Sequence, residues 1–153
     1  MILYHASSYD ADVLMPGIYL AGELIKWDET ESNEYLYACL DQQEAIAQGF
    51  FSGFSKVTYV KEIHSHDNTV TVICQDPRKL MRYAGQLIVY LYAISGNHEW
   101  IAVDNKHNGM KGEYKTKSKV STFLYKQSIS YAEWSRNKKI KFLGLKPDYL
   151  SWK

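Results

Sequence analysis

The chain has 153 residues, with 18 Lys and Arg against 17 Asp and Glu, a formal net charge of +1. That length suits one domain over residues 1–153, since domains commonly run to about 100–200 residues, and a 46 % hydrophobic, 23 % charged composition excludes a disordered chain. No run approaches the roughly 18 apolar residues of a membrane helix. MILYHASSYD lacks the basic start and apolar stretch of a leader, and Cys39 and Cys74 form no spaced pair for a metal or a disulfide framework. No metal and no membrane attachment are expected, and the cytoplasm is the expected compartment.

Taken in chain order, Met1 to His5 reads as a short buried strand and Ala6 to Asp12 as a polar loop. Gly17 to Ala21 fits a second strand entered through the Pro16-Gly17 turn, and the acidic stretch Trp27 to Glu34 fits a loop. Tyr35 to Cys39 is strand-like and runs into a helix over 42–51. Asp41 is its N-cap, Glu44 the capping-box partner, and Ala45, Ile46, Gly49 and Phe50 recur at helical spacing. Val57 to Ile63 and Thr69 to Cys74 are strands, with His64-Ser65-His66-Asp67 read as a polar hairpin loop between them. Asp76-Pro77 opens a helix through about Ala84, with Pro77 at its first position. Gln86 to Ile94 (QLIVYLYAI) is the strongest strand, rich in β-branched and aromatic residues. Gly96 to Gly112 is polar with a short strand at Trp100 to Val103. Tyr114 to Tyr125 reads as one strand, Ser130 to Asn137 as a helix and Ile140 to Leu145 as a last strand. Many short strands joined by brief loops predict an α+β fold with mainly antiparallel sheets and a few short helices.

Charge is unevenly spread. Residues 1–50 hold one Lys and nine acids, whereas residues 51–153 hold 17 bases and eight acids. From Lys106 onward there are 12 bases and three acids. The plain account is one half neutralising the other. A basic segment with interleaved Tyr and Lys over 111–126 also fits a phosphate-tracking surface.

Three places carry possible chemistry. His5 ends the first strand in LYHAS, where a ring nitrogen can donate or accept at the rim of a cleft. Otherwise it merely caps a strand. Tyr37 alternates with Tyr35 on one strand face, so its ring can wall a pocket for a flat base or simply pack in the core. Glu113, in GEYKTKSKV, is an isolated carboxylate among lysines. That setting predicts an ionised group able to stabilise a developing cation on a sugar, with a surface ion pair as the plain alternative. Cys39 reads as a buried thiol. His64 and His66 lack an evident third metal ligand.

In order, LYHAS (3–7), LYACLDQQEAIAQGF (36–50), GQLIVYLYAI and GEYKTKSKV resemble the motifs of the ADP-ribosyltransferase fold family, of the His-Tyr-Glu type found in small bacterial and phage members. The resemblance implies split, mainly antiparallel sheets around a cleft that binds NAD+ as substrate. It further implies that His5 hydrogen-bonds a hydroxyl of the adenosine-side ribose, Ala6 belongs to the cofactor-binding residues, Tyr37 stacks on nicotinamide, and Glu113 stabilises an oxocarbenium-like transition state. Glu133 in YAEWS and Glu99 in HEW are rival carboxylates. Tyr19 in GIYLA is a rival stacking residue with a place in cofactor binding. Cys39 departs from the Thr or Ser usual after this Tyr. The implied activity is transfer of ADP-ribose to a macromolecular acceptor, protein or nucleic acid. The alternative is a non-catalytic relative that binds a nucleotide, a nucleic acid or a partner protein.

Overall fold

The computed structural model describes residues 1–17, 19–20, 23–24, 35–103 and 112–145. In chain order the elements are β1 (Ile2–Ser7), β2 (Tyr19–Leu20), β3 (Glu23–Leu24), β4 (Leu36–Cys39), α1 (Gln42–Val57), β5 (Val60–His66), β6 (Thr69–Cys74) and α2 (Pro77–Tyr83). A 3-10 turn at Ala84–Gln86 leads into β7 (Ile88–Ser95), followed by β8 (Ile101–Ala102), β9 (Glu113–Thr116), β10 (Tyr125–Ser130), α3 (Tyr131–Ser135) and β11 (Lys139–Gly144). Six strands form one sheet in the order β10-β7-β1-β4-β9-β8 and three form another in the order β11-β6-β5, beside the short hairpin β2-β3. Neighbours are antiparallel except β11 with β6, which are parallel. The fold is therefore α+β, with mostly antiparallel sheets and few short helices. Among the described residues no helix is long and apolar enough to cross a membrane.

The local causes are legible at several elements. Asp41 accepts hydrogen bonds from the backbone N–H of Gln43 (2.8 Å) and Glu44 (3.4 Å), satisfying two donors that a helix start leaves open. Ala45, Ile46, Gly49, Phe50, Gly53 and Phe54 then bury one face of α1. The apolar spacing continues past residue 51, so the helix runs on to Val57 instead of stopping there. In α2, Asp76 accepts from Lys79 N and Pro77 takes the first turn, where its missing N–H costs nothing.

Two sequence expectations need correction. Tyr114 to Tyr125 is not one strand. Thr116 Oγ1 accepts the Ser118 N–H, a local turn that competes with pairing, and Val120 bridges back to Leu14, so β9 ends at Thr116 and β10 begins at Tyr125. His64, Ser65 and His66 belong to β5, and the reversal falls at Asp67-Asn68, with Asp67 at a positive φ of 54° that Asp tolerates. The outermost pair of the smaller sheet, β11 on β6, is parallel, because α2 and all of β7 to β10 intervene between the two strands. The expected strand Gly17–Ala21 is seen as Tyr19–Leu20, with residues 18 and 21 outside the described residues. The acidic loop of residues 27–34 and residues 104–111 of the polar segment also lie outside them.

The six-stranded sheet separates two cores. One is built on Phe50, Phe54, Val72, Val89, Leu91 and Trp134 beneath α1; the other holds Leu3, Leu36, Tyr92, Ile94 and Trp100. In the first, Phe50 stacks on Trp134 at 4.6 Å and 20°, and Phe54 meets Phe142 edge-on at 5.6 Å. Such ring pairs add about 0.5–1.5 kcal/mol each beyond the area they bury.

Helix α1 approaches the sheet through its glycines, and the two positions differ. A Cβ at Gly49 would sit 2.8 Å from the Ala6 Cβ, whereas one at Gly53 would find only Leu87 methyls at 3.5–3.6 Å. Alanine in a helix gains about 1 kcal/mol over glycine, and forced overpacking costs about 1–3 kcal/mol. Gly53→Ala is expected to raise the urea midpoint and Gly49→Ala to lower it, and the contrast between the two midpoints tests this helix–sheet distance.

Candidate functional site

Strand pairing fixes which side chains share a face, because residues directly opposite across a ladder point the same way and neighbours along a strand point oppositely. Tyr4 of β1 lies opposite Cys39 of β4 and opposite Ala93 of β7; Cys39 in turn lies opposite Glu113 of β9, and Ala93 opposite Tyr125 of β10. Tyr125, Ala93, Tyr4, Cys39 and Glu113 thus form a row across five strands, on the face that α1 covers in part. In the next row along, Ala6 lies opposite Leu91 and Tyr37 opposite Lys115. Tyr37 and Glu113 therefore share this face with Ala6, whose Cβ packs toward Gly49.

The row meets the start of α1. Leu40 N–H donates to the Gly112 carbonyl, tying the entry of the helix to the residue before Glu113. Glu113 is half-buried, and desolvation pushes its carboxyl above the usual value. This corrects the expectation that neighbouring lysines favour its ionised form. Lys115 and Lys117 instead direct their ammonium groups over the Tyr35 ring, at 4.3 and 5.3 Å from its centre. Tyr35 and Tyr37 pack with ring centres 6.4 Å apart, making an aromatic wall beside the carboxylate. Cys39 is 3 % exposed, and burial, then Glu44, Asp41 and Glu113, pushes its thiol up to about 11. A thiol so protonated is a poor nucleophile.

His5 stands on the opposite face. It lies opposite Tyr92, with ring centres 6.2 Å apart. Its Nδ1–H donates to the Tyr37 carbonyl at 2.7 Å, which leaves the Nε2 lone pair as an acceptor. Desolvation outweighs that hydrogen bond and lowers its pKa, so the neutral ring is favoured. The link between His5 and Tyr37 thus passes through the Tyr37 backbone, and the three side chains do not line one face. Tyr92 is itself fixed, donating to the Tyr9 carbonyl (2.7 Å), accepting from Ala11 N–H (2.8 Å) and packing on Phe123. Farther along the His5 face, a groove of roughly 290 Å³ is bordered by Trp100, Thr116, Ser118, Phe123 and Glu99.

The rival carboxylates fall elsewhere. Glu99 is exposed and borders that second groove, on the His5 side. Glu133 is tied to the N-cap of α3: its N–H donates to Ser130 Oγ at 3.1 Å, and Ser130 Oγ donates to its carboxylate at 3.2 Å. Glu133 also borders a polar groove of about 340 Å³ with Gln42, Gln43, Gln127 and Trp134. There the buried Trp134 Nε1 has no hydrogen-bond partner among the described residues. Tyr19 pairs with Leu24 through its backbone; its side chain lies outside the described residues. Among the described residues no group of three or more His, Cys, Asp or Glu could hold a metal ion.

Sequence reasoning passed over Tyr4 and Lys115. Their alternation with His5 and Glu113 was readable, but the cross-strand register that sets Tyr4 beside Cys39 was not. Compared with known proteins, the chain matches no family model, no curated protein and no solved structure.

A carboxyl raised in the folded state favours folding while it is protonated, and that contribution is lost as pH rises through its folded value. Glu113→Gln is therefore expected to be more thermally stable than the parent at pH 7. The gap should close as pH falls below the ordinary carboxylate value of 4.5. Paired melting curves between pH 4 and pH 7.5 check this, and an equal or lower melting temperature for Glu113→Gln at pH 7 contradicts the desolvation.

Proposed function

We propose that this chain is an NAD+-dependent ADP-ribosyltransferase whose reacting face carries Tyr37 and Glu113. One observation carries the reading. The strands bearing His5, Tyr37 and Glu113 are hydrogen-bonded neighbours, β1-β4-β9, although 32 and 76 residues of chain separate their residues. Support also comes from the order of motifs in the sequence and from the partial exclusion of water around Glu113.

The chemistry follows from that face. Tyr37, with Tyr35 beside it, offers a ring for the nicotinamide. The bond between nicotinamide nitrogen and ribose C1′ breaks, and its electron pair leaves with nicotinamide. The positive charge left on the sugar develops next to the Glu113 carboxylate, whose field is stronger for being partly desolvated. An acceptor oxygen or nitrogen, or water, then bonds C1′ and releases its proton. His5 serves as a positioning residue in this reading: its Nδ1–H holds the carbonyl of Tyr37 and so fixes the strand beneath the stacking ring. Its Nε2 remains available to accept a ribose hydroxyl on the other side.

A second reading, a non-catalytic relative that binds a nucleotide or a partner, is favoured by the orientation of His5, since the three side chains do not converge on one face.

Nicotinamide release by purified protein, with and without cell extract as a source of acceptor, separates the two. Glu113→Gln is expected to lower turnover about 10²–10³-fold, the scale of removing one transition-state stabiliser, while Glu133→Gln leaves turnover intact. His5→Ala should reduce turnover through Tyr37, with partial rescue by His5→Asn, which can restore the donor. Full turnover in Glu113→Gln overturns the assignment of the carboxylate. Calorimetric binding of NAD+ without any nicotinamide release selects the second reading.

A further inference from the structure

We infer that α2 and β11 together form a docking surface for single-stranded nucleic acid. Two segments without a single acid meet there. Residues 77–83 contain Arg78, Lys79 and Arg82, and residues 136–144 contain Arg136, Lys138, Lys139 and Lys141. They are more than 50 residues apart in sequence. The parallel pairing of β11 with β6 brings them together, because α2 follows β6 directly and packs against β11. A Cβ at Gly144 would lie 3.8 Å from the Pro77 ring.

The charges on this surface are uncompensated. Arg78, Lys79, Arg82, Arg136, Lys139 and Lys141 are exposed, and none makes an ion pair or a side-chain hydrogen bond among the described residues. Lys138 is engaged with the Trp134 carbonyl. Along β11 the lysines alternate with Ile140 and Phe142, which pack against the core, so Lys139 and Lys141 face outward. Pairing sets Lys139 beside Thr69 and Lys141 beside Thr71, and threonine hydroxyls are donors that phosphate oxygens accept. The histidines beyond them on β5 already have carboxylate partners, His64 with Glu62 at 2.7 Å and His66 with Asp67 at 3.4 Å, so the surface ends at the threonines. β11 is the edge of its sheet, so the charge wraps a free strand edge.

This band contrasts with the lysines of residues 111–126, where the sequence alone points. Lys126 is paired with Asp10 at 2.5 Å, and Lys115 and Lys117 lie over Tyr35. The α2–β11 band also carries exposed apolar groups, with Met81 68 %, Leu143 48 % and Tyr83 39 % exposed. Cations that follow a phosphate backbone beside a ring able to stack on a base are the features that take single strands without reading their sequence. The docking stands independently of ADP-ribosyl transfer; should both hold, it makes a nucleic acid the natural acceptor.

Fluorescence anisotropy of the full chain with labelled single strands of about 20 nucleotides, DNA and RNA, tests the proposal without NAD+. Binding is expected to weaken from about 50 mM to 200 mM salt, with a log–log slope of about −2.8 to −3.5, as four or five neutralised phosphates require. Lys139→Glu/Lys141→Glu and Arg78→Glu/Arg82→Glu should each weaken binding at least tenfold and lessen the slope by about 1.4. Lys115→Ala/Lys117→Ala should change it less than twofold, and Lys139→Arg/Lys141→Arg should retain it. Circular dichroism and urea midpoints establish that each variant is folded. The proposal is overturned by absence of binding at 50 mM salt, by loss on the Lys115/Lys117 variant instead, or by capture on anionic lipid vesicles with no oligonucleotide binding.

Discussion

Strand β7 sends Val89 and Leu91 into the core beneath α1 and Tyr92 and Ile94 into the core on the other side. That alternation, in a sheet whose central strands are buried on both faces, is the constraint on which the rest of the molecule depends. Slipping one residue would drive four large apolar groups into the wrong environment, so register is set firmly. Every neighbouring strand inherits it. β1 pairs with β7 over six residues, from Ile2 with Ser95 to Ser7 with Tyr90, and through β1 the register reaches β4 and β9. The faces on which His5, Tyr37 and Glu113 stand are a consequence of packing around Leu91 and Tyr92, far from any chemistry those residues perform.

The same constraint shapes the electrostatics of the face that bears Glu113. Glu113 belongs to β9, which is bordered on the outside only by the two-residue strand β8. Its carboxylate sits in a row that begins with two tyrosines and a protonated thiol, next to the start of a helix whose first donors Asp41 already satisfies. The carboxylate is therefore the strongest negative centre of that row, held in partial burial. On the other face, Tyr92 is locked by two backbone partners and His5 is held neutral. One sheet thus carries Glu113 with Tyr35 and Tyr37 on one face and His5 with Tyr92 on the other, and the bond from His5 Nδ1 to the Tyr37 carbonyl links them.

Much of this organisation was legible in the sequence wherever the signal was local. QLIVYLYAI announced β7, and Asp41 and Asp76-Pro77 announced the starts of α1 and α2. Alternation also announced that Tyr35 and Tyr37 share a face. Signals that depend on partners were not legible. Tyr114 to Tyr125 has strand-like composition throughout, yet the Thr116–Ser118 turn and the Leu14–Val120 bridge divide it. A count of lysines near Glu113 in sequence favoured an ionised carboxylate, but Lys115, although it shares the Glu113 face, turns its ammonium to Tyr35, and burial of the carboxyl is felt instead. Register across β1, β4 and β9 is a tertiary property, and for that reason no reading of LYHAS and YLYAC could have told that His5 and Tyr37 stand back to back. Likewise, the acid-free segments of α2 and β11 become one surface only through the parallel pairing of β11 with β6.

The central claim is that the face bearing Tyr37 and Glu113 is where a nicotinamide dinucleotide reacts. A crystal structure of the Glu113→Gln variant soaked with NAD+ tests it most directly, since slowed cleavage holds the intact dinucleotide in place. The account predicts the nicotinamide ring against Tyr37 and its ribose within hydrogen-bonding distance of residue 113. Density for the dinucleotide in the groove of Trp100, Phe123 and Glu99, on the His5 side of the sheet, would contradict it.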